Sequence, residues 1–297
     1  MRLAVTGKNG QVVSALQALA GHGLEIVALG RPELDLARPD TVFKALREAK
    51  PDVVVSAAAY TAVDKAESEP DIAFAVNRDG AKAVARAAND IGVPVIHIST
   101  DYVFDGTKTT AYVENDPTGP ASVYGRSKLE GEHAVSENTK NYAILRTAWV
   151  YSEYGSNFVK TMLRLSESRD EVNVVADQFG CPTSANDIAV AIVSIARKLA
   201  TDPAPHLRGV FHMSGTGETN WAGFAKQIFE FSAENGGKSI GVNDITTAQY
   251  PTPARRPANS RLDCSKLEEV YGIRLPEWQT STRAVMAALA QNKKEMP

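Results

Sequence analysis

The first half of the chain alternates between two patterns of hydrophobic and polar residues. Short runs rich in valine, isoleucine and leucine are typical of buried strands, and each is followed by a longer stretch in which apolar residues recur at helical spacing. The short runs predict strands at residues 2–6, 25–29, 53–57, 93–98 and 142–146. The longer stretches predict helices at residues 11–20, 40–49, 71–90 and 123–137. Because parallel strands must be joined by crossovers, usually helices, this alternation predicts an α/β fold with a parallel sheet.

The way such a sheet is covered decides the fold class. Strands with near-continuous valine and isoleucine are buried on both faces, so helices must lie on both sides of the sheet. This is a Rossmann-type, doubly wound parallel sheet. Its ligands bind in a crevice beyond the carboxyl ends of the strands.

After about residue 150 the pattern is less regular. Further helices are predicted at residues 156–168, 186–200 and 221–234, with a loop at 201–209. Residues 250–260 contain three prolines and two adjacent arginines, so they form neither a helix nor a central strand. We therefore expect a dinucleotide-binding domain over residues 1–150. A smaller, mainly substrate-binding domain covers residues 151–297, with segments near 172–213 returning to the sheet.

Composition narrows the classes of function. The chain has 297 residues, 43% of them hydrophobic, which is enough for one large domain or two. The formal net charge is −3 without a long run of one sign, which argues against nucleic acid or a membrane as partner. No stretch has the ~18 apolar residues of a membrane span, and the first ten residues do not resemble a signal peptide. The two cysteines, Cys181 and Cys264, are far apart and lack metal-ligand spacing, which favours a reducing, cytoplasmic compartment. With nucleic acid and membranes disfavoured, we expect a small-molecule partner.

A glycine turn follows the first predicted strand and begins the first helix. It contains Gly7, Asn9, Gly10, Gln11 and Val12. Glycines in this position let backbone amides approach a pyrophosphate at a helix N-terminus. The third place of the usual fingerprint holds Val13 instead of a small residue. An ordinary strand–helix turn is therefore the competing interpretation.

The ends of the next two strands bear on the choice of cofactor. Arg31 follows the second strand, where an acidic residue would bind a ribose hydroxyl and an arginine suits a 2′-phosphate. This favours NADP over NAD, although a plain surface arginine is also common there. Ala57, Ala58 and Ala59 end the third strand and would let a cofactor lie against the backbone. Tight helix–sheet packing is the alternative explanation for these small residues.

Candidate catalytic residues lie at and after the fourth strand. Tyr124 and Lys128 are four residues apart near the start of a helix, so both side chains leave the same face. A tyrosine with a pKa of about 10 is a poor proton shuttle unless a cation stabilises its phenolate. The strand itself ends in Ser99 and Thr100, whose hydroxyls fall where an α/β fold binds its ligand. A half-buried tyrosine beside a solvated lysine remains the commoner meaning of this spacing alone.

Longer stretches of the chain resemble the dTDP-4-dehydrorhamnose reductase family, a branch of the extended short-chain dehydrogenases/reductases. They are AAAYTAVDKAESEP (57–70), STDYVFDG (99–106), VYGRSKLEGE (123–132), ILRTAWVY (144–151), NFVKTMLRL (157–165), DQFGCPT (177–183) and YPTPARRPANSRL (250–262). The resemblance covers nearly the whole chain. It implies reduction of the C4 ketone of dTDP-4-dehydro-L-rhamnose by NADPH, with NADH as the alternative, in the last step of dTDP-L-rhamnose synthesis.

The resemblance also implies roles for individual residues. Tyr124 would donate the proton, Lys128 would bind the nicotinamide ribose and lower the pKa of Tyr124, and Thr100 would tune the reacting oxygen. The implied cofactor contacts are residues 9–12, Asp35, Leu36, Ala59, Tyr60 and Thr61. The implied substrate contacts are Thr100, Asp101 and Trp149, with Val63 and Tyr102 nearby. Arg255, Arg256 and Asn259 lie on the proline-rich loop, where arginine suits a diphosphate.

The chain departs from its relatives at a metal site. Some relatives form dimers through magnesium held by acidic residues, but Asn186 and Ala15 stand where acidic ligands are implied. We therefore expect no metal and a monomer or weak homodimer. Two rival functions stay open. An epimerase or dehydratase would use tightly held NAD or paired acids after Thr100, and a regulatory protein would only bind the nucleotide.

Overall fold

A six-stranded parallel sheet forms the centre of the computed structural model, which describes residues 1–295. Five of its strands and the helices between them come from the first half of the chain. In order these are β1 (Arg2–Thr6), α1 (Gln11–Ala18), β2 (Glu25–Leu29), α2 (Pro39–Ala49), β3 (Val53–Ser56), α3 (Val63–Ala66), α4 (Pro70–Phe74), α5 (Ala81–Asp90), β4 (Val95–Thr100), α6 (Val123–Asn138) and β5 (Tyr142–Thr147). The predicted fold class is confirmed.

The strand order is β2-β1-β3-β4-β5 followed by a strand from the second half. The order reverses at β1, and ligands of such sheets bind at the carboxyl ends of the strands beside this point. β4 begins at Val95 and not at the predicted residue 93, because the amide of Val93 still donates to Ala88 at the end of α5. The predicted helix over 71–90 contains a π-helical turn, Ala75–Gly80, between α4 and α5.

The second half of the chain adds shorter strands and longer helices. These are β6 (Val150–Tyr151), α7 (Phe158–Ser166), β7 (Glu171–Val175), β8 (Phe179–Gly180), β9 (Thr183–Ser184), α8 (Ala185–Thr201), β10 (Gly209–His212), β11 (Thr219–Asn220), α9 (Trp221–Glu234), β12 (Gly241–Ile245), α10 (Ser265–Tyr271) and α11 (Trp278–Glu295). As predicted, residues 250–260 contain no helix or named strand.

Part of this second half returns to the central sheet. β10 pairs with the outer edge of β5, and α8 packs beside α1 on one face. In contrast, β7 pairs with β12 in a separate two-stranded sheet, so residues 171–175 do not join the central one. The division into residues 1–150 and 151–297 stays a prediction, and residues 296–297 lie outside the described part of the chain.

The three largest apolar clusters of the described residues join the main elements of the fold. Two cover the faces of the central sheet, one beneath α1 and α8 and the other beneath α2 and α5. The third joins α7, α9 and α11 to the β7–β12 pair. Within residues 1–295, no helix is both long and apolar enough to cross a membrane.

Candidate active site

A cleft of about 660 Å³ lies at the carboxyl ends of β1, β3, β4 and β5. It brings together most of the residues predicted from the sequence. The predicted residues that line it are Gly7, Asn9, Gly10, Gln11, Val12, Ala57, Ala58, Ala59, Thr61, Val63, Thr100, Asp101, Tyr102, Tyr124, Lys128 and Trp149. The cleft therefore joins the glycine turn to the Tyr–Lys pair.

The glycine turn is built for a close approach to the backbone. Gly7 has a φ of +103°, which only glycine adopts without strain. Val13 packs against it, since a Cβ on Gly7 would lie 3.3 Å from a Val13 methyl group. Gly10 precedes the first turn of α1 and offers no side-chain cap. The free amides of this helix N-terminus suit an anionic pyrophosphate despite Val13.

Helix α6, which carries Tyr124 and Lys128, is fixed at its first turn. Ser122 caps α6 by accepting a hydrogen bond from the amide of Gly125, which fixes the turn that carries Tyr124, a residue of the cleft lining. Burial raises the pKa of Tyr124, and hydrogen bonding with Thr100 partly opposes the rise. The phenol is therefore protonated at neutral pH. A protonated phenol is what a proton donor requires.

Lys128 is buried beneath Tyr124. Its ammonium donates a 2.6 Å hydrogen bond to the carbonyl oxygen of Ile98 on β4. Burial lowers the pKa of Lys128 to about 8, while the charge of Glu132 acts in the opposite direction. The pKa of Tyr124 is raised here, in contrast to the predicted lowering, because burial dominates and the lysine is directed to the strand.

A buried charge network behind Lys128 was missed from the sequence. Glu132 accepts hydrogen bonds from the guanidinium of Arg146, at 2.7 Å for the shortest, and from the Ser99 hydroxyl. The side chains of Glu132 and Arg146 are only 4% and 5% exposed. The available signal was the position of Glu132, one turn after Lys128 on the same helix face.

Asp101 lies beside the hydroxyls of Thr100 and Tyr124. Its Oδ1 accepts a 2.9 Å hydrogen bond from Thr100. Burial raises its pKa to about 6, and hydrogen bonds with Ser260 and Thr100 oppose that rise. Within residues 1–295, no group hydrogen-bonds its buried Oδ2.

Trp149 lines the cleft and has a strained backbone. Its φ of +51° lies in the left-handed region, which costs a bulky residue about 1–3 kcal/mol. Its indole stacks on that of Trp221, with ring centroids 3.6 Å apart and planes 10° from parallel. Trp221 was not predicted from the sequence, because it is distant in the chain and begins a different helix.

A second cavity of about 720 Å³ is lined by the proline-rich loop. Arg255 is exposed on its lining, whereas Arg256 is half-buried and paired with Asp64 at 2.7 Å. Arg256 also donates a 3.2 Å hydrogen bond to the hydroxyl of Tyr102. The loop therefore contacts the cleft through Tyr102, whose ring packs edge-on against Tyr124.

Asn259 lines the second cavity but is committed to the fold. Its amide nitrogen donates to the carbonyl oxygens of Lys108 and Thr110, and its oxygen accepts from Arg261. Its side chain is thus fully used in joining two loops. The structure does not bring it to the cleft.

Four predicted cofactor residues lie outside the cleft lining. Arg31 is exposed just after β2, and the carboxylate of Asp35 accepts from the amide of Ala37. Leu36 is buried against the backbone at Gly80. The hydroxyl of Tyr60 donates to Glu69. Arg31 and Asp35 remain accessible from solvent along the edge of β2, whereas Leu36 is part of the core.

The position implied for a metal ligand is occupied by an internal contact. The Asn186 amide donates to both carboxylate oxygens of Glu153, at 3.1 and 3.2 Å. Ala15 is buried in the core. Within the described part of the chain, no group of three or more His, Cys, Asp and Glu side chains is arranged to hold a metal ion.

Comparison with known proteins gives a consistent result over nearly the full length. Residues 1–291 match the family profile described as the RmlD substrate binding domain. The dTDP-4-dehydrorhamnose reductase of Sinorhizobium fredii is 62% identical over 295 residues, which is 99% of this chain and all of the relative.

Two solved structures have nearly the same fold. The dTDP-4-dehydrorhamnose reductase of Clostridium acetobutylicum is 38% identical with a TM-score of 0.90. The Bacillus anthracis enzyme of the same name, determined in complex with NADP, is 35% identical with a TM-score of 0.90. In both comparisons the match covers 97% of this chain and 99% of the solved chain.

Proposed function

The chain belongs to the dTDP-4-dehydrorhamnose reductase family, and we propose that it reduces the C4 ketone of dTDP-4-dehydro-L-rhamnose to dTDP-L-rhamnose. The electron donor is NADPH, and the reaction is the last step of dTDP-L-rhamnose synthesis. One observation carries the proposal. The glycine turn, Thr100, Tyr124 and Lys128 all meet in a single cleft at the switch point of the sheet.

The residues of the cleft fit a dinucleotide. The amides at the start of α1 suit the pyrophosphate, and the small side chains of residues 57–59 leave room against the strand ends. These alanines are held in place because the Thr6 hydroxyl accepts from the amides of both Ala57 and Ala58 at 3.0 Å. Arg31, exposed after β2, would meet the 2′-phosphate. When bound, NADPH supplies the hydride.

The proton is supplied by the protein. Tyr124 transfers its phenolic proton to the substrate oxygen O4, which becomes the new hydroxyl, and is then reprotonated from solvent. Burial keeps the phenol protonated before the reaction. The cationic Lys128 lies one helical turn away, where its positive charge stabilises the negative charge that develops on the Tyr124 phenolate. Thr100 is hydrogen-bonded with Tyr124, so its hydroxyl lies beside the reacting oxygen in this proposal.

The substrate spans the two cavities in this proposal. Asp101, Trp149 and Val63 surround the sugar, since all three line the cleft next to Tyr124. The diphosphate extends past Tyr102 toward Arg255 and Arg256, which line the second cavity. Arginine is suited to this role because its planar guanidinium binds phosphate oxygens in pairs.

The less specific properties follow from the same proposal. The substrate is a small molecule, with no role for nucleic acid or a membrane. Two cysteines without a disulfide, Cys181 and Cys264, support a reducing cytoplasmic location. A monomer or weak homodimer is proposed, because Asn186 pairs with Glu153 within the chain and does not offer a carboxylate.

Turnover by the purified protein tests the function against its rivals. Enzymatically made dTDP-4-dehydro-L-rhamnose should be converted to dTDP-L-rhamnose while NADPH absorbance falls in equal amount. dTDP-glucose, which has no ketone, serves as the matched control and should leave NADPH unchanged. Conversion without net consumption of NADPH would indicate an epimerase, and binding without conversion would indicate a regulatory protein.

A further inference from the structure

The indole of Trp149 is held against the cleft by contacts that come from distant parts of the chain. Trp221 covers one face, with centroids 3.6 Å apart and planes 10° from parallel. Gly180 lies at the edge of the same ring, since a Cβ there would come within 2.5 Å of the indole. The backbone of Trp149 has a φ of +51°, so local preference alone does not maintain this conformation.

The two contacts on Trp149 belong to one small assembly. β8 ends at Gly180 and pairs antiparallel with β11, which directly precedes Trp221. Trp221 is also packed against Phe158, whose ring centroid is 4.7 Å away. The position of the Trp221 ring is thus fixed by the antiparallel β8–β11 pair and by the ring of Phe158.

We propose that Trp221 is a positioning residue for substrate recognition: it stacks on Trp149 and holds that strained indole as the wall that receives the hexose. The inference rests on the proposed function and deepens it. Trp149 lines the cleft that contains Tyr124, whereas Trp221 is not among the lining residues and so acts through Trp149. An aromatic platform suits a 6-deoxyhexose, which has an apolar edge formed by its C–H groups and methyl.

The physical argument predicts a specific kinetic pattern. Trp149 contacts the ground state and the transition state alike, so loosening it weakens binding without removing the proton donor. Stacked aromatic pairs contribute modestly beyond burial, which corresponds to an increase of about 3- to 10-fold in KM. The value of kcat should stay within about 2-fold of wild type, because Tyr124 and Thr100 are untouched.

The test compares Trp221→Leu and Trp221→Phe with a matched control, Trp278→Phe. Trp278 is buried in the same aromatic cluster, but its ring meets Phe224 and not Trp149. Its indole nitrogen has no hydrogen-bond partner within residues 1–295, so phenylalanine removes no such bond. KM, kcat, NADPH affinity and the Kd for dTDP-L-rhamnose by calorimetry would be measured for all three variants.

Trp221→Leu should raise KM and the product Kd about 3- to 10-fold while NADPH affinity stays unchanged. Trp221→Phe should recover most of the affinity, because a phenyl ring still stacks. In near-UV circular dichroism, the coupled signal of two parallel indoles should disappear in both Trp221 variants and persist in Trp278→Phe. Wild-type KM and product Kd in Trp221→Leu would overturn the inference, as would loss of NADPH affinity in step with product affinity.

The proposed function can fail separately from this inference. If wild-type protein does not oxidise NADPH with the ketone substrate, the function is wrong. If wild type turns over and Trp221→Leu binds the product normally, only the positioning role is wrong. The circular dichroism signal reports on the Trp149–Trp221 stack independently of activity. Because Trp221→Phe also removes that signal, the check does not depend on whether Trp221→Leu folds.

Discussion

The ammonium of Lys128 donates a hydrogen bond to the backbone carbonyl oxygen of Ile98, 2.6 Å away on the strand that carries Thr100. Helix α6 is thereby tied to the strand end where the substrate oxygen is proposed to lie. The carbonyl oxygen accepts this hydrogen bond, and the nearby charge of Glu132 favours the cationic form of the buried lysine. Its protonation should therefore be visible in the activity of the enzyme.

The first prediction concerns the pH dependence that this buried cation causes. The pKa of Lys128 is about 8, so the cationic form, which the proposed mechanism requires, is lost as the pH rises through 8. The value of kcat/KM should fall above this pH. Lys128→Arg, which stays charged at all accessible pH values, should lack this limb even if its activity is lower. A wild-type profile that is flat from pH 7 to 9.5 would contradict the assignment.

Replacement of Tyr124, the proposed proton donor, gives the second prediction. Tyr124→Phe should lower kcat by about 10²–10⁴-fold, the usual contribution of a general acid. NADPH binding, followed by fluorescence, should be preserved because the glycine turn is unaffected. Tyr142→Phe is the matched control, since Tyr142 lies at the opposite end of the sheet, at the start of β5. Full turnover by Tyr124→Phe would remove Tyr124 from the mechanism.

The buried pair of Glu132 and Arg146 leads to the third prediction. Glu132→Gln would leave the guanidinium of Arg146 buried without its counter-charge. Unfolding in urea should then show a loss of about 3–5 kcal/mol. The double variant Glu132→Met with Arg146→Met should lose less, because no uncompensated charge remains.

The single variant Glu132→Gln also tests the link between this pair and catalysis. Glu132 raises the pKa of Lys128, so its neutralisation should move the alkaline limb of kcat/KM to lower pH. A stability change below about 1 kcal/mol together with an unmoved limb would mean that the network is not coupled to the site.

Cofactor selectivity is the subject of the fourth prediction. Arg31→Ala should weaken NADPH more than NADH, because only NADPH carries the 2′-phosphate. A charge-assisted hydrogen bond of about 1.5–3 kcal/mol corresponds to a loss of about 10- to 150-fold in the NADPH/NADH preference. Arg38→Ala is the control, as Arg38 is an exposed arginine nearby that pairs with Asp40. An unchanged NADPH/NADH ratio would mean that Arg31 does not bind the 2′-phosphate. Lys8 would then be the next candidate, because its ammonium donates hydrogen bonds to the Arg31 carbonyl oxygen and to Glu33.

The fifth prediction concerns metal ions. Asn186 donates to Glu153, and the nearby Asp187 accepts from Ser281, so these side chains are already satisfied within the chain. Initial rates and the mass measured by light scattering should both be indifferent to EDTA and to restored magnesium. A chelator-dependent change from dimer to monomer, reversed by magnesium, would show that other acids serve as ligands.

Local patterns predicted the elements that depend on local burial. The bounds of β1, β2 and α9 agree with the prediction. β1 and β2 are short, mostly apolar runs that end at turns, and α9 has apolar residues recurring at helical spacing. The pairing of β7 with β12 was not predicted, since strands about 70 residues apart leave no periodic signal that links them. The helices α10 and α11 were also missed from the less regular second half.

The candidate site divides in a similar way. Residues on strand ends and helix starts, such as Tyr124 and Thr100, were predicted because the topology of a parallel sheet brings its carboxyl ends together. The Asp64–Arg256 pair joins residues 192 positions apart, and only the fold places them in contact. The commitment of Asn259 to two carbonyl groups was likewise invisible, since an exposed loop asparagine has the same sequence signature.

The attachment of β10 to the outer edge of β5 has a consequence for synthesis on the ribosome. The backbone hydrogen bonds along that edge form with residues 209–213, although β5 is complete at Thr147. At about 5–20 residues per second, the roughly 60 intervening residues take about 3–12 s to emerge. During that interval the nascent chain carries an unpaired strand edge, which is a template for aggregation. We therefore expect a chaperone that shields this edge during synthesis to increase the yield of folded protein.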